Sequence, residues 1–173
     1  MLDMLFIFGG LPGTGKSTLA ACLAREFGAA YLRIDSIEER LKSPAGPLGY
    51  EIAQAVAADN LRLGIKVVAD CVNPTRESRE GWLRVGDRVG VPCLTVEVVC
   101  TNLEKHRLRV EERSAERPGP NVPTWDLVRN RRYQKWPRVD LVFDTAEYRL
   151  DEMQAEFLER VRGALRVKGL TVG

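Results

Sequence analysis

A glycine-rich segment at residues 10–17 carries a lysine and a serine at the spacing of a phosphate-binding loop. It reads GLPGTGKS and fits the Walker A pattern GxxxxGK[ST]. The glycines permit backbone conformations that residues with a Cβ rarely adopt, so successive N–H groups can converge on one anion. Lys16 supplies an ammonium for the β- and γ-phosphates, and the Ser17 hydroxyl suits Mg²⁺. The segment predicts a nucleoside triphosphate site with the binding residues Gly10, Pro12, Gly13, Thr14, Gly15, Lys16, Ser17 and Thr18.

Two aspartates, Asp35 and Asp70, each follow a short run typical of a β-strand, AYLRI and IKVVA. Beside a triphosphate, a carboxylate can accept the proton of an attacking hydroxyl or hold Mg²⁺. Asp35 precedes the helical segment SIEERL, so it could instead cap that helix. Asp70 precedes CVNPT, so it could instead be a turn residue. Glu38 in that helix and Asn73 in that loop are further candidates, with the two aspartates, for contact with a substrate.

Three arginines, Arg109, Arg113 and Arg117, recur every four residues in a charged segment and would share one face of a helix. The loop PGPNVP and a second helical pattern follow. We expect a lid over about residues 107–136 that closes guanidinium groups over a transferring phosphoryl group and excludes water. The alternative is a solvated helix whose arginines pair with its glutamates. We expect His106, in the same segment, to lie on a solvated helix face.

Apolar runs rich in β-forming residues occur at 4–8, 30–34, 65–69, 93–99 and 139–143, with helical patterns between them. This alternation predicts a mostly parallel sheet with helices on both faces. Ligands of such sheets bind at the carboxyl ends of the strands. The phosphate loop, Asp35 and Asp70 should therefore meet at one edge.

The size and charge of the chain limit the remaining options. Its 173 residues predict a single domain, residues 1–173. A net charge of +2 with 29% charged residues favours neither a nucleic-acid coat nor a membrane surface. No apolar stretch approaches the length of a membrane span, so we expect a cytoplasmic protein with no membrane partner, as a monomer or a homodimer.

Four motifs, GLPGTGKSTLA, RIDSIEERL, VVADCVNPTRESR and RVEERSAERPGPNVPTWDLV, carry a resemblance that covers nearly the whole chain. The chain resembles the P-loop NTPase-fold kinases of the small-molecule, AAA_33-like group, and is similar to the kinase domain of phage-type 5′-hydroxyl polynucleotide kinase. The resemblance implies an α/β P-loop NTPase fold: a three-layer α/β/α sandwich with a five-stranded, mostly parallel sheet of order 2-3-1-4-5, like that of nucleoside monophosphate kinases, and a helical lid.

The resemblance also implies roles for individual residues. Asp35 would be the general base, Lys16 and Ser17 would handle the phosphates and Mg²⁺, and Arg113 and Arg117 would stabilise the transferring phosphoryl group. The chain departs from polynucleotide kinases after the base, where the arginine that grips a 3′-phosphate would stand two positions before Arg40.

The expected activity is transfer of the γ-phosphoryl group of ATP to a hydroxyl of a small-molecule acceptor, with Mg²⁺ held by Ser17 and Asp70. The acceptor would be a nucleoside, a sugar or an antibiotic-like compound, bound under a capping segment at about residues 36–63. Two alternatives remain: a 5′-hydroxyl polynucleotide kinase, and a non-catalytic module that binds ATP. Nucleic acid is the less favoured partner, although a basic cluster follows the lid: Arg129, Arg131, Arg132, Lys135 and Arg138.

Overall fold

The predicted apolar runs form a sheet of five parallel strands in the computed structural model, which describes residues 3–41, 47–116 and 122–170. The strand order β2-β3-β1-β4-β5 confirms the predicted order. Every pair of neighbouring strands is parallel. The strands are β1 (Leu5–Gly9), β2 (Ala30–Arg33), β3 (Val67–Asp70), β4 (Cys93–Val99) and β5 (Leu141–Asp144).

Helices connect and follow the strands in the described residues. They are α1 (Lys16–Phe27), α2 (Ile34–Leu41), α3 (Leu48–Arg62), α4 (Arg76–Val89), α5 (Leu103–Glu116), α6 (Trp125–Arg129) and α7 (Leu150–Val167). The predicted lid contains α5 and the single five-residue helix α6. After Asn130 the chain is irregular up to β5, so the second lid helix is shorter than the helical pattern suggested.

The central strand β1 separates two apolar cores because its side chains alternate between the faces of the sheet. Phe6 and Phe8 pack in one core with residues of α1 and α7. Leu5 and Ile7 pack in the other core, with Trp82 of α4 and residues of α3. The sheet is therefore the middle layer of a three-layer α/β/α sandwich, as expected.

The ends of β2 and β3 exclude the two alternative roles of the aspartates. β2 ends at Arg33, and α2 begins at Ile34, so Asp35 is the second residue of a helix and not its N-cap. β3 ends at Asp70 itself, which is paired in register with Arg33. Asp70 therefore belongs to the strand and not to a turn, so both alternative roles are wrong.

The four cysteines are free; three are buried and Cys93 is partly buried. Among the helices of the described ranges, none is both long and apolar enough to cross a membrane.

Candidate active site

The phosphate-binding loop connects the buried strand β1 directly to α1. The Gly10 amide donates to the Val72 carbonyl oxygen at 3.0 Å, which fixes the start of the loop against the segment that follows β3. Gly15 stands at the N-cap of α1 with φ 89°, and no side chain caps the helix. A helix N-terminus without a side-chain cap presents its N–H groups and its positive dipole end to an anion. The loop is thus built to bind phosphate.

Helix α5 packs against the outer side of this loop at Gly13. A Cβ at Gly13, whose φ is 84°, would lie 2.5 Å from Cγ2 of Val110. Nε2 of His106 donates to the Pro12 carbonyl oxygen at 2.8 Å, and its ring meets Trp125 edge to face at 5.2 Å. His106 is buried, so the expected solvated histidine is wrong. Glycine is needed here for conformation and for the close approach of α5.

Lys16 and Asp70 form a buried ion pair at the end of β3. The Tyr31 hydroxyl donates to Oδ2 of Asp70 at 2.6 Å, while the Lys16 ammonium contacts Oδ1. Burial alone would raise the pKa of Asp70, but the Lys16 charge and hydrogen bonds from Lys16, Tyr31 and Ser17 outweigh it and lower that pKa. Asp70 is therefore an ionised carboxylate beside the phosphate loop.

The donor set at this point suits Mg²⁺. Ser17 offers a hydroxyl and Asp70 a carboxylate, and both supply the hard oxygen atoms that Mg²⁺ prefers. Within the described part of the chain, no group of three or more His, Cys, Asp or Glu side chains could hold a metal. Mg²⁺ needs no such cage, because it commonly binds one or two protein oxygens together with substrate phosphates and water. The two residues fit the expected partial ligand set.

Asp35 lies between two arginines from different elements. Nη2 of Arg33 is 3.1 Å from Oδ2 of Asp35, and Nη2 of Arg113 on α5 is 3.5 Å from the same oxygen. The Asp35 side chain is 36% exposed, so it is open to a ligand in the cavity. The contact brings the predicted base and one predicted lid arginine together. Oδ1 takes part in neither contact.

Arg109, a second of the three arginines predicted to share one helix face, stabilises the phosphate loop through Thr145. Its Nη1 donates to the Thr145 hydroxyl at 2.7 Å, and that hydroxyl donates to the Thr14 carbonyl oxygen at 2.7 Å. The solvated-helix alternative therefore fails for Arg109 and Arg113. It holds for Arg107, which pairs with Glu111 at 2.7 Å one turn on.

A cavity of about 620 Å³ joins the phosphate loop to Asp35. Burial and the nearby Asp35 charge raise the pKa of Glu38 at one side of this cavity, whereas Arg131 opposes the rise. Residues from the loop, α2, α3, α5 and the lid all line the cavity: Leu11, Pro12, Gly13, Gly15, Lys16, Ser17, Thr18, Arg33, Asp35, Glu38, Glu39, Tyr50, Val72, Arg109, Arg113, Val122, Pro123, Arg131 and Met153.

Asn73 does not occupy the place expected of it. Its side chain is fully buried, and its Nδ2 donates to the Phe8 carbonyl oxygen at 2.7 Å. It also has φ 50°, a conformation that asparagine tolerates better than most residues. The expected substrate contact is corrected: Asn73 stabilises the loop after β3. Arg117 lies outside the described residues.

Arg79 of α4 anchors the end of the lid. It is buried, and its guanidinium donates to the carbonyl oxygens of Asn73, Gln134 and Lys135. It also lies over the Trp136 ring, 4.4 Å from its centroid. The segment after α6 is thus fixed to the loop after β3. Of the basic cluster, only Arg131 lines the cavity among these described residues.

The sequence did not identify Tyr31 and Arg33 as residues of the site, and it did not indicate the structural role of His106. A signal existed for His106, because His106 and Val110 are four apart and are the only buried residues of the charged helix α5. Tyr31 and Arg33 are two residues apart on β2, so their side chains lie on the same face of the sheet as Asp70. Period-two spacing in AYLR was the available signal.

Fold and site together define a P-loop protein with a parallel five-stranded sheet of order 2-3-1-4-5. A family model described as an AAA domain, AAA_33, matches residues 5–137. The match covers more than half of the chain, so the protein belongs to the AAA_33 family. No curated protein matches the chain in sequence.

Solved structures of kinases share the fold at low sequence identity. The APS kinase of Mycobacterium tuberculosis, in complex with AMPPNP and APS, is similar with a TM-score of 0.67 and 21% identity over 93% of this chain and 98% of that chain. A gluconokinase from Sinorhizobium meliloti has a TM-score of 0.68 and 17% identity, with coverages of 96% and 97%. A sugar kinase from Janibacter has a TM-score of 0.61 and 15% identity, with coverages of 96% and 95%.

Proposed function

We propose that the protein is an ATP-dependent kinase that transfers the γ-phosphoryl group of ATP to a hydroxyl of a small-molecule acceptor. The observation that carries this proposal is the shared cavity: the phosphate loop forms one end and Asp35, with Glu38, forms the other. A phosphoryl donor and an acceptor hydroxyl could both reach this space. The similarity in fold to an APS kinase and to a gluconokinase supports the proposal.

The roles of the loop residues follow from the charge of Lys16 and from the direction of the α1 dipole. The N-terminus of α1 and the loop amides would bind the β- and γ-phosphates. Lys16 would leave Asp70 and move its ammonium onto these oxygens, because the phosphates offer more negative charge than one carboxylate. When bound, Mg²⁺ would be held by Ser17 and Asp70 and would neutralise charge on the phosphates.

Asp35 is the proposed general base. Its Oδ1 would accept the proton of the acceptor hydroxyl as the hydroxyl oxygen attacks the γ-phosphorus and the bond to the β-phosphate oxygen breaks. The products are ADP and a phosphorylated acceptor, with the proton on Asp35. Arg113, whose Nη2 is 3.5 Å from Oδ2 of Asp35, would contact the transferring group as the lid closes. We expect Arg117 to assist it.

The acceptor end of the cavity has groups suited to hydroxyls and amines. Glu38, Glu39 and the Tyr50 side chain line this end, together with Arg33 and Arg131. This mixture of acids and bases favours a polar acceptor such as a nucleoside, a sugar or an antibiotic-like compound. A 5′-hydroxyl polynucleotide would need a continuous basic surface, and four of the five residues of the basic cluster at 129–138 do not line the cavity in the described part of the chain.

The test is an acceptor screen that measures ADP release with ATP and Mg²⁺. Nucleosides, sugars, aminoglycoside-like antibiotics and 5′-hydroxyl oligonucleotides form the panel, and Asp35→Asn is the control for background hydrolysis. A kinase should release ADP only with its acceptor, and the Asp35→Asn variant should release none above background. ATP binding without acceptor-dependent ADP release across the panel would favour the binding module instead.

A further inference from the structure

Tyr31 has no role in the proposed reaction, yet its hydroxyl contacts Asp70 beside the phosphate loop. It stands on the edge strand β2 and is paired in register with Val68, two residues before Asp70. Its side chain extends along the face of the sheet toward the strand ends, and its hydroxyl donates to Oδ2 of Asp70 at 2.6 Å. The ring is only partly buried, since Tyr31 is 37% exposed.

The two oxygens of Asp70 have different kinds of partner. Oδ1 contacts the mobile Lys16 ammonium, whereas Oδ2 contacts the neutral Tyr31 hydroxyl. When Lys16 moves to phosphate, Oδ1 loses its cation while Oδ2 keeps its donor. The bond at Oδ2 keeps the Asp70 carboxylate in its orientation, because a hydrogen bond from a residue that does not bind the metal can orient a metal ligand.

An ordinary phenol is protonated at neutral pH, so the Tyr31 hydroxyl is a hydrogen-bond donor to Oδ2 of Asp70. The hydroxyl of Tyr31 therefore contacts Asp70, one of the two residues that fit the Mg²⁺ ligand set, without being a favoured Mg²⁺ ligand itself.

We propose that Tyr31 is a positioning residue for the divalent cation: its hydroxyl fixes Oδ2 of Asp70 so that Oδ1 faces the cation once Lys16 has turned to the phosphates. This inference rests on the ATP and Mg²⁺ part of the proposed function and is independent of the acceptor.

The test measures how the affinity for ATP depends on Mg²⁺ concentration, by calorimetry and without any acceptor. Tyr31→Phe removes only the hydroxyl. Tyr148→Phe is the matched control, because its ring stacks on Phe143 at 5.0 Å and it does not line the cavity. We expect Tyr31→Phe to raise the Mg²⁺ midpoint by about three- to tenfold, which corresponds to the net contribution of one typical hydrogen bond. ATP binding in a metal chelator should change by less than about twofold, and Tyr148→Phe should change neither.

A double-mutant cycle separates positioning from a merely structural role. If Tyr31 acts through Asp70, Tyr31→Phe should add nothing in an Asp70→Asn background. An unchanged Mg²⁺ midpoint in Tyr31→Phe would overturn the inference, and so would a shift that persists undiminished with Asp70→Asn. A variant that fails to fold would also contradict it, because a hydroxyl that only orients Asp70 is not needed by the fold.

The outcomes distinguish this inference from the proposed function. If no acceptor is phosphorylated while Tyr31→Phe shifts the Mg²⁺ midpoint, the kinase proposal fails and the role of Tyr31 stands. If acceptor phosphorylation is found and the midpoint does not move, the kinase proposal stands and the role of Tyr31 fails.

Discussion

Replacing Asp35 with asparagine separates a catalytic carboxylate from a structural one. The amide keeps the shape of the side chain but cannot accept a proton from an acceptor hydroxyl. It also loses the ionic part of its contacts with Arg33, at 3.1 Å, and with Arg113, at 3.5 Å. The change therefore has one expected effect on the rate of phosphoryl transfer and another on the stability of the fold.

The expected loss of stability is small. Asp35 and Arg113 are more than one-third exposed, and ion pairs in such positions contribute at most about 1 kcal/mol after screening by solvent. For a chain of 173 residues, this corresponds to a fall in Tm of about 2–4 °C. The expected loss of rate is about 10²- to 10⁴-fold, the usual contribution of a positioned general base.

The assay compares kcat, the affinity for ATP and Tm between the native protein and Asp35→Asn. Glu39→Gln is the matched control, because it makes the same change at another residue of α2 that lines the same cavity. We expect the control to keep kcat within about fivefold, since no proton transfer is assigned to it. A large fall in Tm with kcat retained in Asp35→Asn would refute the reasoning and make Asp35 a structural residue.

Substitutions at five further residues test other parts of the site. Lys16→Ala should abolish transfer and lower the free energy of unfolding by about 3–5 kcal/mol, because it leaves Asp70 buried without its cation; a denaturant titration with an unchanged midpoint would contradict the buried pair. Asp70→Asn should raise the Mg²⁺ requirement more than the acceptor KM, since an amide binds Mg²⁺ less well; the reverse in a magnesium titration would place it in the acceptor pocket. Arg113→Ala should lower kcat by roughly 10²-fold and Arg113→Lys should restore little, whereas Arg109→Ala should mainly weaken ATP binding; equal, mild effects in steady-state kinetics would argue against the lid. Gly13→Ala should weaken ATP binding and lower Tm, because φ is 84° and the new methyl group meets α5; normal values of both would show that the loop adapts.

The fold and the phosphate loop could be predicted because their signals are local. The octet at residues 10–17 contains its own turn glycines and cation, and the strand of five residues before it is buried throughout. The order of the strands came from a family resemblance and not from any local pattern. The strand ends were less predictable. Asp35 belongs to α2 because a helix begins immediately after Arg33, which is the last residue of β2 paired with β3.

The contacts around the site were not predictable in the same way, because they depend on which elements meet. Asn73 looked like a substrate residue, yet it bonds the Phe8 carbonyl oxygen from a distant part of the chain. His106 looked solvated in a charged helix, but packing of α5 on the phosphate loop buries it. Tyr31 reaches Asp70 only because β2 and β3 are neighbours in the sheet. Sequence spacing can suggest a shared face, but not the partner across it.

Transfer of the terminal phosphoryl group tests the central claim most directly. The protein is incubated with Mg²⁺ and ATP that carries a label on its γ-phosphoryl group, with each acceptor of the panel, beside Lys16→Ala and Asp35→Asn. The account predicts that label moves onto one class of small hydroxyl compound in step with ADP formation, that Lys16→Ala transfers none, and that Asp35→Asn transfers it about 10²- to 10⁴-fold more slowly. Label that appears only as inorganic phosphate, at the same rate with and without acceptors, would contradict the account.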